Sequence, residues 1–131
     1  MKIQAHSTAL RFVTAILMTL TSLAALAADN FTASELSANV YLVQGPSGNT
    51  LIAADTDGLI LIEGVPAQFA DEYLAFVKTT TGEQRIKALV NTHWHPESAG
   101  LNASLAGTDT KVIAHANTKQ WLAASIRSRG Q

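Results

Sequence analysis

The sequence contains no cysteine among its 131 residues. Disulfide bridges are therefore excluded, and so are metal sites built on thiolates, which leaves histidine, aspartate and glutamate as candidate metal ligands. These residue types are compatible with zinc, manganese or iron and do not choose among them. Residues 28–131 carry ten acidic and seven basic side chains without any basic run or stripe. This pattern argues against nucleic acid as a partner.

The chain also lacks an apolar run long enough to span a membrane. Its longest run, Phe12 to Leu26, follows two basic residues, contains threonine and serine, and ends at a small-x-small site closing on Ala27. A span needs roughly 20 apolar residues, whereas this order is typical of a secretory signal peptide. We therefore predict a signal peptide at residues 1–27, a periplasmic or secreted protein with no stable membrane insertion after cleavage, and one domain at residues 28–131.

Turn-rich segments separate three short apolar runs in the first half of that domain, which predicts an antiparallel meander with strands at 39–44, 50–54 and 59–63. The spacing then becomes helical. Phe69, Tyr73, Phe76 and Val77 lie on one face of a helix predicted over about 67–78.

Two further strands are predicted at 86–90 and 111–114, with a weak helix at 99–105 between them. A last helix is expected from Asn117 or Thr118 to about Ser128, and its predicted buried side is formed by Trp121, Leu122 and Ile126. Strands followed by alternating strands and helices are typical of an α/β (α+β) domain.

The segment with the clearest chemical meaning runs from Asn91 to Gly100, with the sequence Asn-Thr-His-Trp-His-Pro-Glu-Ser-Ala-Gly. If the strand geometry persists, His93 and His95 point the same way and reach one metal ion, while Trp94 points oppositely, into packing. Glu97 follows as a possible ligand or general base. From spacing alone, ordinary polar loop histidines remain the alternative.

This segment resembles the signature of the metallo-β-lactamase-fold hydrolases, whose usual pattern is Thr-His-x-His-x-Asp-His followed by a Gly-Asn pair. The strand that leads to Glu63 and Gly64 is similar to the family's strand ending in Asp-x-Gly, and the likeness covers about residues 39–122. It implies a four-layer αββα sandwich, of which this chain matches the N-terminal half as a mixed sheet with flanking helices. Family members use one or two metal ions, usually zinc, to hydrolyse lactams, lactones, thioesters or phosphodiesters.

The resemblance implies a role for each matching residue. His93 and His95 correspond to the first two ligands of the family's first metal site, and Glu97 stands where the family has an aspartate. Ser98 stands where the family has a further histidine, so at most one zinc ion is expected here. Glu63 replaces an aspartate that supports the ligands by hydrogen bonding. The family's remaining ligands lie in its second half, and we therefore expect this domain to be truncated.

Three functions remain open at the level of the sequence. The first is an exported zinc-dependent hydrolase acting on a small-molecule substrate, with His93, His95 and Glu97 as metal ligands and Glu97 also as the catalytic group. The second is a non-catalytic metal-binding remnant, and the third is a small structural module that buries an open sheet face in a homodimer. His115 is an additional candidate ligand, although a helix-capping role explains it more simply. Trp94 and Trp121 are expected to pack rather than to stack on a substrate.

Overall fold

The computed structural model describes residues 30–82 and 85–129, and the side chains of 125–129 are not part of that description. The predicted signal peptide at 1–27 therefore lies outside the described residues. Within the described ranges, no helix combines the length and the apolar character needed to cross a membrane.

A mixed six-stranded sheet forms the centre of the fold, and its strands neighbour one another in chain order. The first four pair in antiparallel fashion, and the last two add in parallel. The strands are β1 (Thr32–Ser37), β2 (Val40–Gly45), β3 (Gly48–Asp55), β4 (Gly58–Ile62), β5 (Ile86–Asn91) and β6 (Lys111–Ala114). The predicted meander is present as β2, β3 and β4. Strand β1 was not predicted because all six of its residues are exposed and mostly polar, so no buried face marks it in the sequence.

The helices lie in the connections between the parallel strands and after β6. They are α1 (Ala70–Thr81), α2 (Pro96–Ala99), α3 (Asn102–Leu105) and α4 (Ala116–Arg129). Helix α1 begins three residues later than predicted because Ala67–Phe69 form a separate 3-10 turn. It ends at Gly82, whose left-handed φ of 81° suits glycine. The single weak helix predicted at 99–105 is wrong, since two short helices occupy this region.

One face of the sheet carries the hydrophobic core. Helix α1 buries Tyr73 and Val77, and the Tyr73 hydroxyl shares a 2.7 Å hydrogen bond with Thr50 on β3. Phe31 packs edge-on against Phe69 and Tyr73 at the end of α1. The predicted helical face is thus the one that packs. The core consists of Phe31, Val43, Ile52, Leu59, Leu61, Val65, Ala70, Tyr73, Val77, Leu89, Leu101 and Leu105.

The last helix departs from its prediction in two respects. It begins at Ala116, one residue before the predicted cap, and Trp121 is 58% exposed instead of buried. The reason is that Trp121 stacks on Trp94, whose loop follows β5, with ring centroids 5.9 Å apart. Leu122 is half-buried, and the predicted burial of Ile126 lies outside the described side chains. The α/β (α+β) class is confirmed by the mixed sheet with its flanking helices.

Candidate metal centre

The candidate site lies where the parallel strands β4 and β5 end. Glu63 directly follows β4, and Thr92 and His93 directly follow β5. The two ends are joined, because the Glu63 N–H donates to the Val90 carbonyl at 2.9 Å. Ligands in sheets with parallel strands commonly bind at the carboxyl ends of those strands. The topology therefore gathers the polar residues of this motif at such an end.

The loop after β5 is fixed at both of its ends. Asn91 is buried, and its side-chain amide donates to the Asn102 side chain at 2.9 Å. Pro96 occupies the first turn of α2, and the His95 carbonyl accepts hydrogen bonds from Ser98 and Ala99 N–H. Proline is well suited to the first turn of a helix because its missing N–H has no partner there. The chain therefore turns back within a few residues after β5 and enters α2.

This return brings three candidate ligands together. His93, His95 and Glu97 each offer one donor atom, and these atoms all lie within 4.8 Å of one another. Two nitrogen ligands and one oxygen ligand about 2.0–2.2 Å from a zinc ion are spaced roughly 3.4 Å apart in tetrahedral geometry. The side chains of His95 and Glu97 are about half exposed, and His95 Nδ1 lies 3.4 Å from Glu97 Oε1. The three side chains therefore form a group that could hold one metal ion.

Glu63 supports the first of these ligands from the buried side. Its Oε1 accepts the Thr92 N–H at 2.5 Å, and its Oε2 lies 3.5 Å from His93 Nδ1. That Oε2 is buried without a hydrogen-bond partner among the described residues. Burial by itself raises the pKa of Glu63. The hydroxyls of Thr92 and Ser98, the Thr92 N–H and the neighbouring His93 outweigh that effect and hold the pKa below its ordinary value.

Both ring nitrogens of His93 have hydroxyl partners. Nδ1 lies 3.1 Å from Thr92 Oγ1, and Nε2 lies 3.1 Å from Ser98 Oγ. A neutral imidazole has one N–H donor and one acceptor nitrogen. If Nδ1 donates towards Glu63, Nε2 accepts from Ser98, and a metal ion at Nε2 replaces that serine hydroxyl.

An open groove of about 890 Å³ borders the site, and Glu97 contributes to its wall together with Trp94 and Leu122. Trp94 packs edge-on against His95 with ring centroids 4.8 Å apart. Trp94 therefore packs, but on His95 and Trp121 instead of in the core, and it lines the same groove as Glu97, so the expectation that it points away from the candidate ligands is wrong. A groove of this volume is of the size that small-molecule sites have.

The structure brings the predicted residues together by a route that differs from the expected one. Strand β5 ends at Asn91, so the turn into α2, and not strand alternation, places His93 next to His95. Their role as metal ligands stays a prediction. His115 is not part of the three-residue group, and its Nδ1 accepts the Asn117 N–H at 3.2 Å, which agrees with the capping interpretation.

Sequence reasoning missed two polar contributors to the site. The Thr92 N–H donates to Glu63, and the Ser98 hydroxyl is hydrogen-bonded to the candidate ligand His93. Both residues belong to the motif segment, but their contacts depend on the turn geometry. The hydrogen bond between Asn91 and Asn102 could not be predicted from the sequence either. It joins residues 11 positions apart, and residue propensities do not specify the turn between them.

No protein-family model matches the sequence, and no curated protein matches it either. Solved structures do match. A metallo-β-lactamase from Hirschia baltica is 24% identical with a TM-score of 0.60, over 73% of this chain and 48% of that one. A metallo-β-lactamase from Erythrobacter litoralis is 20% identical with a TM-score of 0.62, over 72% of this chain and 46% of that one.

The stereoselective inverting sec-alkylsulfatase Pisa1 from Pseudomonas sp. is 22% identical with a TM-score of 0.60, over 72% of this chain and 16% of that one. The chain spans about half the length of the two metallo-β-lactamases and less of the sulfatase. These likenesses show the metallo-β-lactamase fold over about 73% of the chain.

Proposed function

We propose that this chain, which has the fold of the metallo-β-lactamases, carries part of a zinc-dependent hydrolase site. The observation that carries the proposal is the donor group of His93, His95 and Glu97 at the carboxyl ends of two parallel strands. The matched structures support it at the level of the superfamily, because they include two lactamases and a sulfatase on the same fold.

Each residue of the group has a chemical task under this proposal. His93 and His95 bind the ion through ring nitrogens, and the Glu97 carboxylate binds the ion or accepts a proton from the attacking water. Glu63 orients the His93 ring by accepting a hydrogen bond at the nitrogen that faces away from the ion. When bound, zinc supplies the Lewis acidity that makes water nucleophilic near neutral pH and polarises the scissile bond.

The groove beside Glu97 is the proposed substrate site. It places one wall, formed in part by Trp94, next to the carboxylate and the exposed His95. A small molecule with an apolar body and a polar scissile group fits such a surface, because the body contacts the wall while the scissile group meets the ligand cluster.

Zinc binding by the purified full chain tests the metal site directly. We expect one zinc ion per chain, and at least about a 100-fold loss of affinity in the His93→Ala/His95→Ala double variant, because only one protein ligand then remains. His115→Ala is the matched control, since it removes an exposed histidine outside the group. Unchanged zinc affinity in the double variant would falsify the site.

Hydrolysis assays test the catalytic part of the proposal. Zinc-loaded chain is assayed with a lactam, a lactone, a thioester, a phosphodiester and an alkyl sulfate, before and after removal of zinc with a chelator. We expect turnover of at least one bond class that the chelator abolishes, that zinc restores and that Glu97→Gln reduces. Turnover that persists after complete zinc removal contradicts the mechanism.

Metal binding without catalysis is the second candidate function, and two contacts favour it. Ser98 engages His93 Nε2, and the group contains only three candidate ligands among the described residues. Stoichiometric zinc without turnover of any of the five bond classes assigns the chain to this second function.

Export is proposed from residues 1–27 alone, whose order is that of a signal peptide. Expression of the full chain in a bacterium with fractionation of the cells tests it. We expect the chain in the periplasmic fraction with an N-terminus near residue 28, and full-length chain in the cytoplasmic fraction contradicts export.

A further inference from the structure

The last helix reaches the candidate metal centre through an aromatic side chain. Thr118, Trp121 and Leu122 of α4 are spaced at i, i+3 and i+4 and therefore lie on one side of the helix. Thr118 is buried and Leu122 is half-buried, so this side of α4 faces the body of the protein. The Trp121 ring stacks on the Trp94 ring, with an angle of 24° between the ring planes. This ring pair joins α4 to the histidine loop.

The contact continues from Trp94 to the candidate ligands. The Trp94 ring packs edge-on against the His95 ring at an angle of 78°. The His95 ring in turn meets the His93 ring at an angle of 84°, with centroids 5.0 Å apart. Edge-to-face pairs are favoured because the positive edge of one ring meets the negative face of the other. Four rings in the order Trp121, Trp94, His95 and His93 thus lead from α4 into the candidate metal centre.

His95 is held by fewer hydrogen bonds than His93. Both ring nitrogens of His93 face hydroxyls, and Glu63 lies behind that ring. Among the residues that the structure describes, the His95 ring has no hydroxyl partner, and its nearest carboxylate belongs to Glu97, which is itself a candidate ligand. The contact with Trp94 comes from outside the ligand group and limits how the His95 ring can turn.

We propose that Trp121 is a positioning residue for His95 and acts through Trp94. Trp94 lies in a loop, where several staggered side-chain orientations are open to it. Stacking of Trp121 on the Trp94 ring favours the orientation that keeps the His95 ring edge-on. The consequence for zinc binding rests on the proposed metal centre, whereas the consequence for the orientation of the His95 ring does not.

The zinc affinity of the full chain measures the consequence for metal binding. We expect Trp121→Ala to weaken zinc binding about fivefold, because a less restricted His95 ring must be ordered when the ion binds. Trp121→Phe keeps a flat ring at this position and should restore the affinity to within about twofold of the parent. Gln120→Ala, at an exposed neighbour in the same helix, is the matched control and should leave the affinity unchanged.

A double-mutant cycle separates an action through Trp94 from a general loss of α4 packing. If Trp121 acts through Trp94, Trp121→Ala should weaken zinc binding less than about 1.5-fold in a chain that already carries Trp94→Ala. A helix that merely docks less well would cost the same factor in both backgrounds, because independent effects add as free energies.

The ring protons of His95 give a readout that needs no metal. Their NMR shifts depend on how the neighbouring indole is oriented, and the His95→Ala variant identifies the signals by their loss. With zinc removed by a chelator, we expect Trp121→Ala to move these signals, Trp121→Phe to move them less, and Gln120→Ala to leave them in place.

Three results overturn the proposal. The first is His95 signals that Trp121→Ala leaves in place, and the second is a loss of zinc affinity that is equally large in the Trp94→Ala background. The third is zinc binding that needs His93 and His95 but is equal in the parent and in Trp121→Ala. If the chain binds no zinc while its His95 signals respond to Trp121→Ala, the metal centre is refuted and the positioning of His95 is supported.

Discussion

Glu63 is the residue at which the end of one strand and the histidine loop meet. It adopts a φ of 65°, an uncommon value for a residue with a side chain, and it directs its carboxylate at Thr92 N–H and His93. Strained backbone of this kind is held in place by its surroundings and is frequent at functional sites. The conformation therefore agrees with a positioning role for this carboxylate.

Replacing Glu63 with glutamine tests that role. We expect Glu63→Gln to weaken zinc binding about 10–100-fold, because a neutral amide holds the His93 ring less firmly than a carboxylate. Zinc affinity is measured by competition with a chromophoric chelator, with Glu35→Gln in β1 as an exposed control. Equal affinities of the two variants would show that Glu63 does not position the ligand.

Ser98 makes the opposite contribution, because its hydroxyl lies 3.1 Å from His93 Nε2, which would have to exchange this contact for the metal ion. Removing it frees the nitrogen, so we expect Ser98→Ala to bind zinc about fivefold more tightly, which corresponds to one hydrogen bond of about 1 kcal/mol. Ser104→Ala, on the exposed side of α3, serves as the control in the same competition assay. Weaker zinc binding by Ser98→Ala would instead mean that the hydroxyl supports the metal-bound state.

Helix α1 packs on the sheet through Tyr73, whose hydroxyl is hydrogen-bonded to Thr50 on β3. Burial raises the pKa of the Tyr73 hydroxyl to about 12, with the Thr50 hydrogen bond acting in the opposite direction. An unfolded tyrosine titrates near about 10. The folded chain therefore keeps this proton more tightly than the unfolded chain does, and alkaline pH favours unfolding.

The stability linked to Tyr73 is fully present below about pH 10 and is lost as the pH rises towards 12. The total is about 2–3 kcal/mol, of which roughly half is lost at pH 11. We expect Tyr73→Phe to cost about 1 kcal/mol at pH 8, because Thr50 loses its partner, and to remove this alkaline loss. Urea unfolding at pH 8 measures the cost of the substitution, and the difference between pH 8 and pH 11 measures the alkaline loss of stability. Tyr41→Phe, at a half-buried tyrosine, is the control. An unchanged alkaline loss in Tyr73→Phe refutes the assignment.

Helix α2 depends on close backbone contact at Gly100. A Cβ at this position meets the Ala67 nitrogen and lies 2.6 Å from the Val65 carbonyl oxygen. We expect Gly100→Ala to lower the free energy of unfolding by about 1–3 kcal/mol and to weaken zinc binding, because α2 carries Glu97. Urea unfolding and zinc titration measure the two effects. The exposed Ala103→Ser in α3 should stay within about 0.5 kcal/mol of the parent, and the same small change in Gly100→Ala would contradict the contact.

The positions of strands and helices could be predicted where the burial of one face gives the sequence a periodic spacing of apolar residues. Strands β2 to β5 and helix α1 all bury apolar side chains on one face, and each was found within three residues of its predicted ends. Strand β6 was found at its predicted bounds although Val112 and Ile113 are about half exposed. Strand β1 was not predicted, because its exposed residues leave no such period. The two short helices after β5 are set by Pro96 and by the contact of Gly100 with the preceding loop, which no periodicity reveals.

For the whole molecule, the core lies on one side of a single sheet, and the central strand β4 belongs to it through Leu61. This side chain is fully buried, and we expect Leu61→Ala to cost about 2–5 kcal/mol without changing the slope of the urea transition. Ile60→Ala on the opposite face, where this side chain is 39% exposed, should cost less than about 1 kcal/mol. Equal losses for the two variants would contradict a one-sided core.

The sequence by itself determined the fold class, the meander and the packing face of α1, and it singled out His93, His95 and Glu97 as candidate ligands, because periodicity and residue chemistry are local properties. Tertiary structure decided what those residues meet: Glu63 behind His93, Ser98 on its other nitrogen and Trp121 against Trp94. It also decided which apolar residues of neighbouring strands share a face of the sheet, since only the strand register assigns a side to each. Contacts between residues that are far apart in the sequence depend on the path of the folded backbone, and the local sequence does not specify that path.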